Sequence, residues 1–71
     1  MLTLAEMIKN LDDGNERAIM RLYYIGNHKI MDIAEALGMT ERNINRYLNR
    51  GRKALTMRYG IDFRYHQRNR V

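Results

Sequence analysis

The stretch IMDIAEALGMTERNINRYLNRGRK, residues 30–53, contains two helical patterns separated by the short sequence GMT. Gly38 ends the first pattern, because glycine adopts the left-handed conformation at a helix C-terminus at little cost. The hydroxyl of Thr40 can cap the second helix. So short a connection favours two helices that cross steeply. Ala34 is the small residue expected where the helices approach, Gly38 the turn residue that can adopt a positive φ, and Ile44 an apolar residue that reaches back to the core. These features predict a helix-turn-helix.

The rest of the sequence predicts an all-α domain. The chain of 71 residues has no proline and five glycines, three of which lie close to predicted helix ends. A chain of this length forms one small domain. We expect four helices, at about residues 3–11, 15–25, 29–37 and 40–59, with Thr3, Asn15 and Asn27 as N-caps of the first three. The domain is expected at residues 1–60, followed by a basic, flexible tail at residues 61–71.

Apolar residues at helical spacing predict the core. Two adjacent tyrosines, Tyr23 and Tyr24, cannot both face the core of a regular α-helix. Met20 and Met31 are expected near helix surfaces. The expected core residues are Leu4, Met7, Ile8 and Leu11 in the first helix, Ala18, Ile19, Leu22 and Ile25 in the second, Ile30, Ile33, Ala34 and Leu37 in the third, and Ile44, Leu48, Gly51 and Leu55 in the fourth.

The charge of the chain favours a polyanionic partner. Thirteen basic and eight acidic residues give a net charge of +5 and a sequence pI near 10.0. Residues 1–37 contain four basic and six acidic residues, whereas residues 38–71 contain nine and two. Such an asymmetry is typical of nucleic-acid-binding proteins, although a solvated basic surface would also produce it.

The face of the fourth helix opposite its apolar residues carries side chains that recognise DNA. Arginine pairs with guanine and asparagine with adenine, whereas lysine contacts phosphates. Exposed arginine and asparagine are often only a solvated surface, but three asparagines lower helix stability without structural benefit, which favours a function. The predicted base-reading residues are Glu41, Arg42, Asn43, Asn45, Arg46 and Asn49. The predicted phosphate contacts are Lys29, Thr40, Arg50, Arg52 and Lys53.

Other functional classes lack their residue patterns. The chain has no cysteine, and His28 and His66 have no second ligand at helical spacing, so neither a metal nor another cofactor is expected. There is no nucleophile with a neighbouring base and no glycine-rich phosphate loop, so we do not expect an enzyme or a small-molecule ligand. No apolar run approaches the length of a membrane span, and we expect a cytoplasmic protein.

The run RLYYIGNHKIMDIAEALGMTERNINRYLNRGRKAL, residues 21–55, resembles region 4 of the sigma-70 family and, less closely, the DNA-binding domain of the quorum-sensing-type response regulators. The resemblance implies a four-helix domain that docks its long last helix in the major groove of promoter DNA. It also implies contact with RNA polymerase, to which no residue here can be attached. His28 and Lys29 depart from the family pattern before the third helix. The groove-facing residues that it implies are Thr40, Glu41, Arg42, Asn43, Asn45 and Arg46.

Three functions remain open from the sequence. The first is a sequence-specific double-stranded DNA-binding transcription regulator that dimerises or uses a partner, since one small unit buries little surface. The second is a region-4 mimic that binds RNA polymerase or a sigma partner. The third is a DNA-recognition subunit in phage packaging or recombination. A sigma factor needs a further domain to open the promoter, so we expect a small regulator from a phage or a bacterium.

Overall fold

The computed structural model describes residues 2–12 and 14–63, and this part of the chain is helical without any strand. The elements are α1 (Leu4–Lys9), α2 (Asn15–Met20), a π-helical turn (Arg21–Ile25) that continues α2, α3 (Ile30–Leu37) and α4 (Glu41–Tyr59). The prediction of an all-α, four-helix domain with a long last helix is confirmed. Within the described residues, none of the helices combines the length and hydropathy needed to span a membrane.

The start of α1 is fixed by a reciprocal pair of hydrogen bonds. The Thr3 hydroxyl accepts from the backbone N–H of Glu6 at 3.2 Å, and the Glu6 carboxylate accepts from the backbone N–H of Thr3 at 2.9 Å. This capping box satisfies two N–H groups that the helix leaves free, and it confirms Thr3 as the N-cap. The bond from the Thr3 backbone, followed by that from its hydroxyl, lowers the pKa of the Glu6 carboxyl.

The second predicted helix differs from expectation at both ends. Gly14, with φ of 147°, occupies the N-cap position, and Asn15 is the first helical residue, so the prediction of Asn15 as the cap is wrong. At Arg21 the helix widens, because the Gly26 N–H donates to the Arg21 carbonyl, five residues back, at 2.9 Å. The wider turn rotates Ile25 away from the core and leaves it 47% exposed.

The widened turn also changes how α3 begins. Asn27 adopts a positive φ of 60°, and the His28 N–H donates to the carbonyl of Leu22 at 3.0 Å. Lys29, in an extended conformation, is the N-cap of α3 and makes no side-chain cap bond. The prediction of Asn27 as the cap is therefore wrong, because the chain needs this residue for the turn that precedes the helix.

The core forms around the inward face of α4. Gly51 lies against Met20, which is fully buried rather than near the surface, whereas Met31 is 59% exposed as expected. Leu37, in the last turn of α3, is 38% exposed and so lies largely outside the core in which it was predicted. The fully buried side chains are Ile8, Ile19, Met20, Ile33, Ile44, Leu48 and Leu55.

The chain turns back onto the core after α4. Gly60 ends the helix with φ of 69°, and the Thr56 hydroxyl donates to the carbonyl of Ile61 at 3.0 Å. Ile61 and Phe63 are buried in the core. The packed domain thus includes residues beyond the boundary expected at residue 60, because this turn directs two apolar side chains inward. Residues 64–71 of the expected tail lie outside the described residues.

Candidate nucleic-acid interface

The turn between α3 and α4 fixes where α4 begins. Gly38 has a left-handed backbone with φ of 66°, and the Met39 N–H donates to the Ala34 carbonyl at 2.9 Å. The Thr40 hydroxyl then accepts from the backbone N–H of Asn43 at 3.1 Å, as predicted for the N-cap. A hydroxyl that accepts this bond retains its hydrogen as a donor for a ligand.

The outward face of α4 presents three exposed cations. Arg42, Arg46 and Lys53 are exposed, and within residues 2–12 and 14–63 they form neither a hydrogen bond nor an ion pair. At 3.6 residues per turn all three lie opposite Ile44, Leu48 and the other buried residues of the helix. Within that part of the chain, no internal ion pair would have to break before these side chains contact an anion.

Three more of the predicted base-reading residues surround this face at the start of α4, whereas Asn49 lies in the third turn. Glu41 and Asn45 are exposed, and Asn43 is half-buried. The first turn of a helix carries free N–H groups and partial positive charge, so this end of α4 favours phosphate or base acceptors. Lys29, at the N-terminus of α3, is also exposed.

Two of the predicted phosphate contacts are engaged within the protein. The Nε atom of Arg50 lies 3.6 Å from the Glu16 carboxylate, and its guanidinium lies 5.8 Å from the Tyr47 ring. Arg52 is half-buried, and its Nε donates to the Tyr24 hydroxyl at 2.6 Å. The three predicted phosphate contacts within α4 therefore differ: Lys53 is exposed, Arg50 is partly paired and Arg52 is bound within the protein.

Sequence reasoning did not find the contact between Tyr24 and Arg52. Both adjacent tyrosines are half-buried and pack against the core, which the π-helical turn allows. Their rings lie 4.9 Å apart at an edge-to-face angle of 85°. The bond from Arg52 to Tyr24 links positions 28 residues apart, and no helical periodicity can reveal such a pair. The only sequence signal was the pair of adjacent tyrosines itself.

A basic groove lies between α1 and α2, and none of its described lining residues belongs to α4. Its volume is about 530 Å³, and its basic lining residues are Lys9, Arg17 and Arg21. Ile8 and Ala18 form part of its apolar wall, and none of its described lining residues is acidic. The groove thus combines positive charge with apolar surface.

Among the described residues, no three histidine, cysteine or carboxylate side chains come together as metal ligands.

The family model described as "Sigma-70, region 4" matches residues 3–55 of the chain. This match extends from the N-cap of α1 through the helix-turn-helix to the buried Leu55. Neither curated proteins nor solved structures give a match.

Proposed function

The chain belongs to the family of sigma-70 region 4 domains, and we propose that it is a sequence-specific double-stranded DNA-binding regulator of transcription. Domains of this family bind DNA and RNA polymerase. The observation that supports the proposal most is the exposed face of α4, where Arg42, Arg46 and Lys53 have no partner within the described residues. In the proposed complex, α4 enters the major groove with its N-terminal half deepest.

The proposed contacts divide by their position along α4. The first two turns reach the base edges, where arginine recognises guanine, asparagine recognises adenine and Glu41 accepts from cytosine. Lys29 and Thr40 lie at helix N-termini, where they contact phosphates on one side of the groove. Lys53 contacts phosphates farther along the helix, and Arg50 does so while remaining close to Glu16. The proposed base-reading residues are Glu41, Arg42, Asn43, Asn45 and Arg46, joined by Asn49 in the third turn.

A single domain of this size needs a second unit for tight specific binding, since one small module buries only about 600–1,000 Å² on DNA. We therefore propose that it binds as a homodimer or beside a partner protein. Within α1, Ile8 is buried and Leu4 and Met7 pack partly against the core, so this helix offers little apolar surface for the contact. Met57, on α4, is 78% exposed and is our candidate for an apolar residue at this contact.

Selection of bound sequences from random duplex DNA tests the proposal. We expect the purified protein to enrich one motif at near-physiological salt, and a homodimer would make that motif palindromic. Affinity should fall steeply with salt, with a slope of about 0.9 per phosphate neutralised. Recovery of random sequence, together with salt-independent binding, would overturn the proposal.

Binding of RNA polymerase is a second candidate function, and the groove between α1 and α2 favours it. Its three basic residues and its apolar wall fit an acidic, amphipathic segment of a partner protein. Because none of its described lining residues belongs to α4, the groove and the proposed DNA-contacting face use different residues. A domain that uses both surfaces can bring polymerase to a promoter. A region-4 mimic, which binds polymerase without reading DNA, would use only the groove.

Charge reversal separates the two surfaces. In binding to purified bacterial RNA polymerase core enzyme, Lys9→Glu with Arg21→Glu should weaken the complex by about tenfold or more, since each reversal replaces attraction with repulsion. Lys53→Glu is the matched control, because it should weaken DNA binding and leave polymerase binding unchanged. Equal effects of all three reversals on polymerase would contradict the assignment of the groove.

A role in phage packaging or recombination would use the same DNA contacts. Transcription from a promoter that carries the selected motif, measured with and without the protein, distinguishes these roles from regulation. We propose a phage or bacterial regulator that acts in the cytoplasm, where its DNA lies.

A further inference from the structure

Three side chains connect the π-helical turn to the exposed face of α4. The Nε of Arg52 donates to the Tyr24 hydroxyl at 2.6 Å. The Nη1 of the same guanidinium donates to the Oδ1 atom of Asn49 at 3.0 Å. Asn49 is exposed, one helical turn before Arg52. A partly buried tyrosine is thereby linked through one guanidinium to a residue proposed to face DNA.

The position of Arg52 is restricted from several sides. Its guanidinium lies 5.7 Å from the centroid of the Tyr24 ring and 6.0 Å from that of Tyr23. The Tyr24 ring in turn packs 5.4 Å from Phe63, which is buried. Arg52 itself is half-buried, whereas the next residue, Lys53, is exposed. These contacts hold the guanidinium against the domain, so it is not extended toward solvent as a phosphate contact requires.

This arrangement determines which way the Asn49 amide faces. A guanidinium has five N–H donors and no acceptor, so only the oxygen of the amide can face Arg52. The amide oxygen of Asn49 therefore faces Arg52 and accepts its hydrogen bond, and the NH₂ group of the amide points away from Arg52. An asparagine that recognises adenine must direct both groups at the base edge, accepting from N6 and donating to N7. Because its oxygen is turned toward Arg52, Asn49 instead presents mainly the N–H donors of its amide to a base edge.

We propose that Arg52 is a positioning residue for base recognition, which orients Asn49 so that its NH₂ group selects guanine over adenine. Guanine presents two acceptors in the major groove, N7 and O6, whereas adenine presents one acceptor beside a donor. This inference rests on the proposed entry of α4 into the major groove. It reassigns Arg52 from a phosphate contact to a residue that acts through Asn49.

The same selection from random duplex DNA, applied to variants, tests the inference. Asn49→Ala identifies the base pair that Asn49 contacts, because preference is lost there. Arg52→Met and Tyr24→Phe should each shift that one base pair from guanine toward adenine, by about fivefold or more, since the freed amide can form the two-bond contact. In combination with Asn49→Ala, neither substitution should change base preference further.

Arg50→Met is the matched control, because it removes an arginine from the same helix without a contact to Asn49. It should lower affinity for all sequences and leave base preference intact. Circular dichroism and thermal unfolding of each variant identify folding effects, which would weaken binding to all sequences alike. Unchanged base preference in Arg52→Met and Tyr24→Phe, or no position affected by Asn49→Ala, overturns the inference while the proposed function stands. Absence of any enriched motif for the unsubstituted protein overturns both.

Discussion

Gly51 lies so close to Met20 that a Cβ atom at position 51 would be 2.5 Å from the Cγ atom of Met20 and 2.7 Å from its sulfur. Both residues are buried, and Met20 has no exposed surface. This contact allows α2 to approach α4 at its middle. The close approach at Gly51 therefore helps to fix how α4 is oriented, and with it the direction of the exposed face that we propose contacts DNA.

Gly51→Ala should destabilise the domain. Alanine favours an α-helix over glycine by about 1 kcal/mol, but overpacking of a core costs about 1–3 kcal/mol, and the Cγ atom of Met20 is not a mobile chain end. We expect a net loss, seen as a fall in Tm of several degrees. Met57→Ala, at an exposed position of the same helix, is the control and should change stability by less than about 0.5 kcal/mol. A rise in Tm for Gly51→Ala would show that the two helices separate easily.

The capping box of α1 predicts a loss of stability in acid. The hydrogen bonds from Thr3 lower the pKa of the Glu6 carboxyl from its ordinary value of 4.5. A carboxyl with a lowered folded-state pKa contributes stability that is fully present above the ordinary value and is lost as the pH falls through the lowered one.

Glu6→Gln tests this contribution, because glutamine can accept the same bonds but does not titrate. The difference in unfolding free energy between the protein and the variant should shrink as the pH falls below 4.5. Urea unfolding at a series of pH values measures it. A difference that stays constant with pH would contradict the role of the charged carboxylate.

The parts of the fold that depend on local sequence could be predicted. Gly38 and Thr40 fix the turn between α3 and α4 through their own backbone and hydroxyl chemistry. The buried face of α4 follows from helical periodicity. The π-helical turn could not be predicted, because its register depends on how Leu22 and the tyrosines pack. Burial of Phe63 depends on the turn at Gly60, and it too requires the assembled core.

In the candidate site, too, some features follow from local sequence and others depend on tertiary contacts. The exposed positions of Arg42, Arg46 and Lys53 follow from the helical period alone. The engagement of Arg50 with Glu16 and of Arg52 with Tyr24 depends on contacts between distant parts of the chain. A predicted basic stripe therefore identifies which side chains can face a ligand, but tertiary contacts determine which of them are free to do so.

Arg46 and Lys53 should differ in their effect on DNA binding, although both are exposed and unpaired within the described part of the chain. Arg46→Ala should cost about 1–3 kcal/mol on the selected motif and relax preference at one base pair. Lys53→Ala should weaken selected and random duplexes alike and reduce the salt slope by about 0.9. Fluorescence anisotropy titrations over a range of salt concentrations measure both. Equal losses for Arg46→Ala on the two duplexes would exclude its base-reading role.

The ion pair between Glu16 and Arg50 should reduce affinity for DNA. The Glu16 carboxylate lies 3.6 Å from Nε of Arg50, whose side chain is 63% exposed. A phosphate at Arg50 would be repelled by this carboxylate, and two charges about 4 Å apart interact by about 1 kcal/mol in water. Glu16→Gln should therefore strengthen binding to random duplex by up to about fivefold at low salt, with little change in stability, because exposed pairs contribute only about 0–1 kcal/mol.

A charge-matched control separates this local effect from the change in net charge. Glu35→Gln removes one negative charge from an exposed position on α3 and should strengthen binding less than Glu16→Gln does. In an Arg50→Ala background, Glu16→Gln should lose most of its effect, because the cation that the carboxylate competes for is absent. If Glu16→Gln acts equally in that background, or no more than Glu35→Gln, then Arg50 does not contact phosphate and its guanidinium serves only to join α4 to α2.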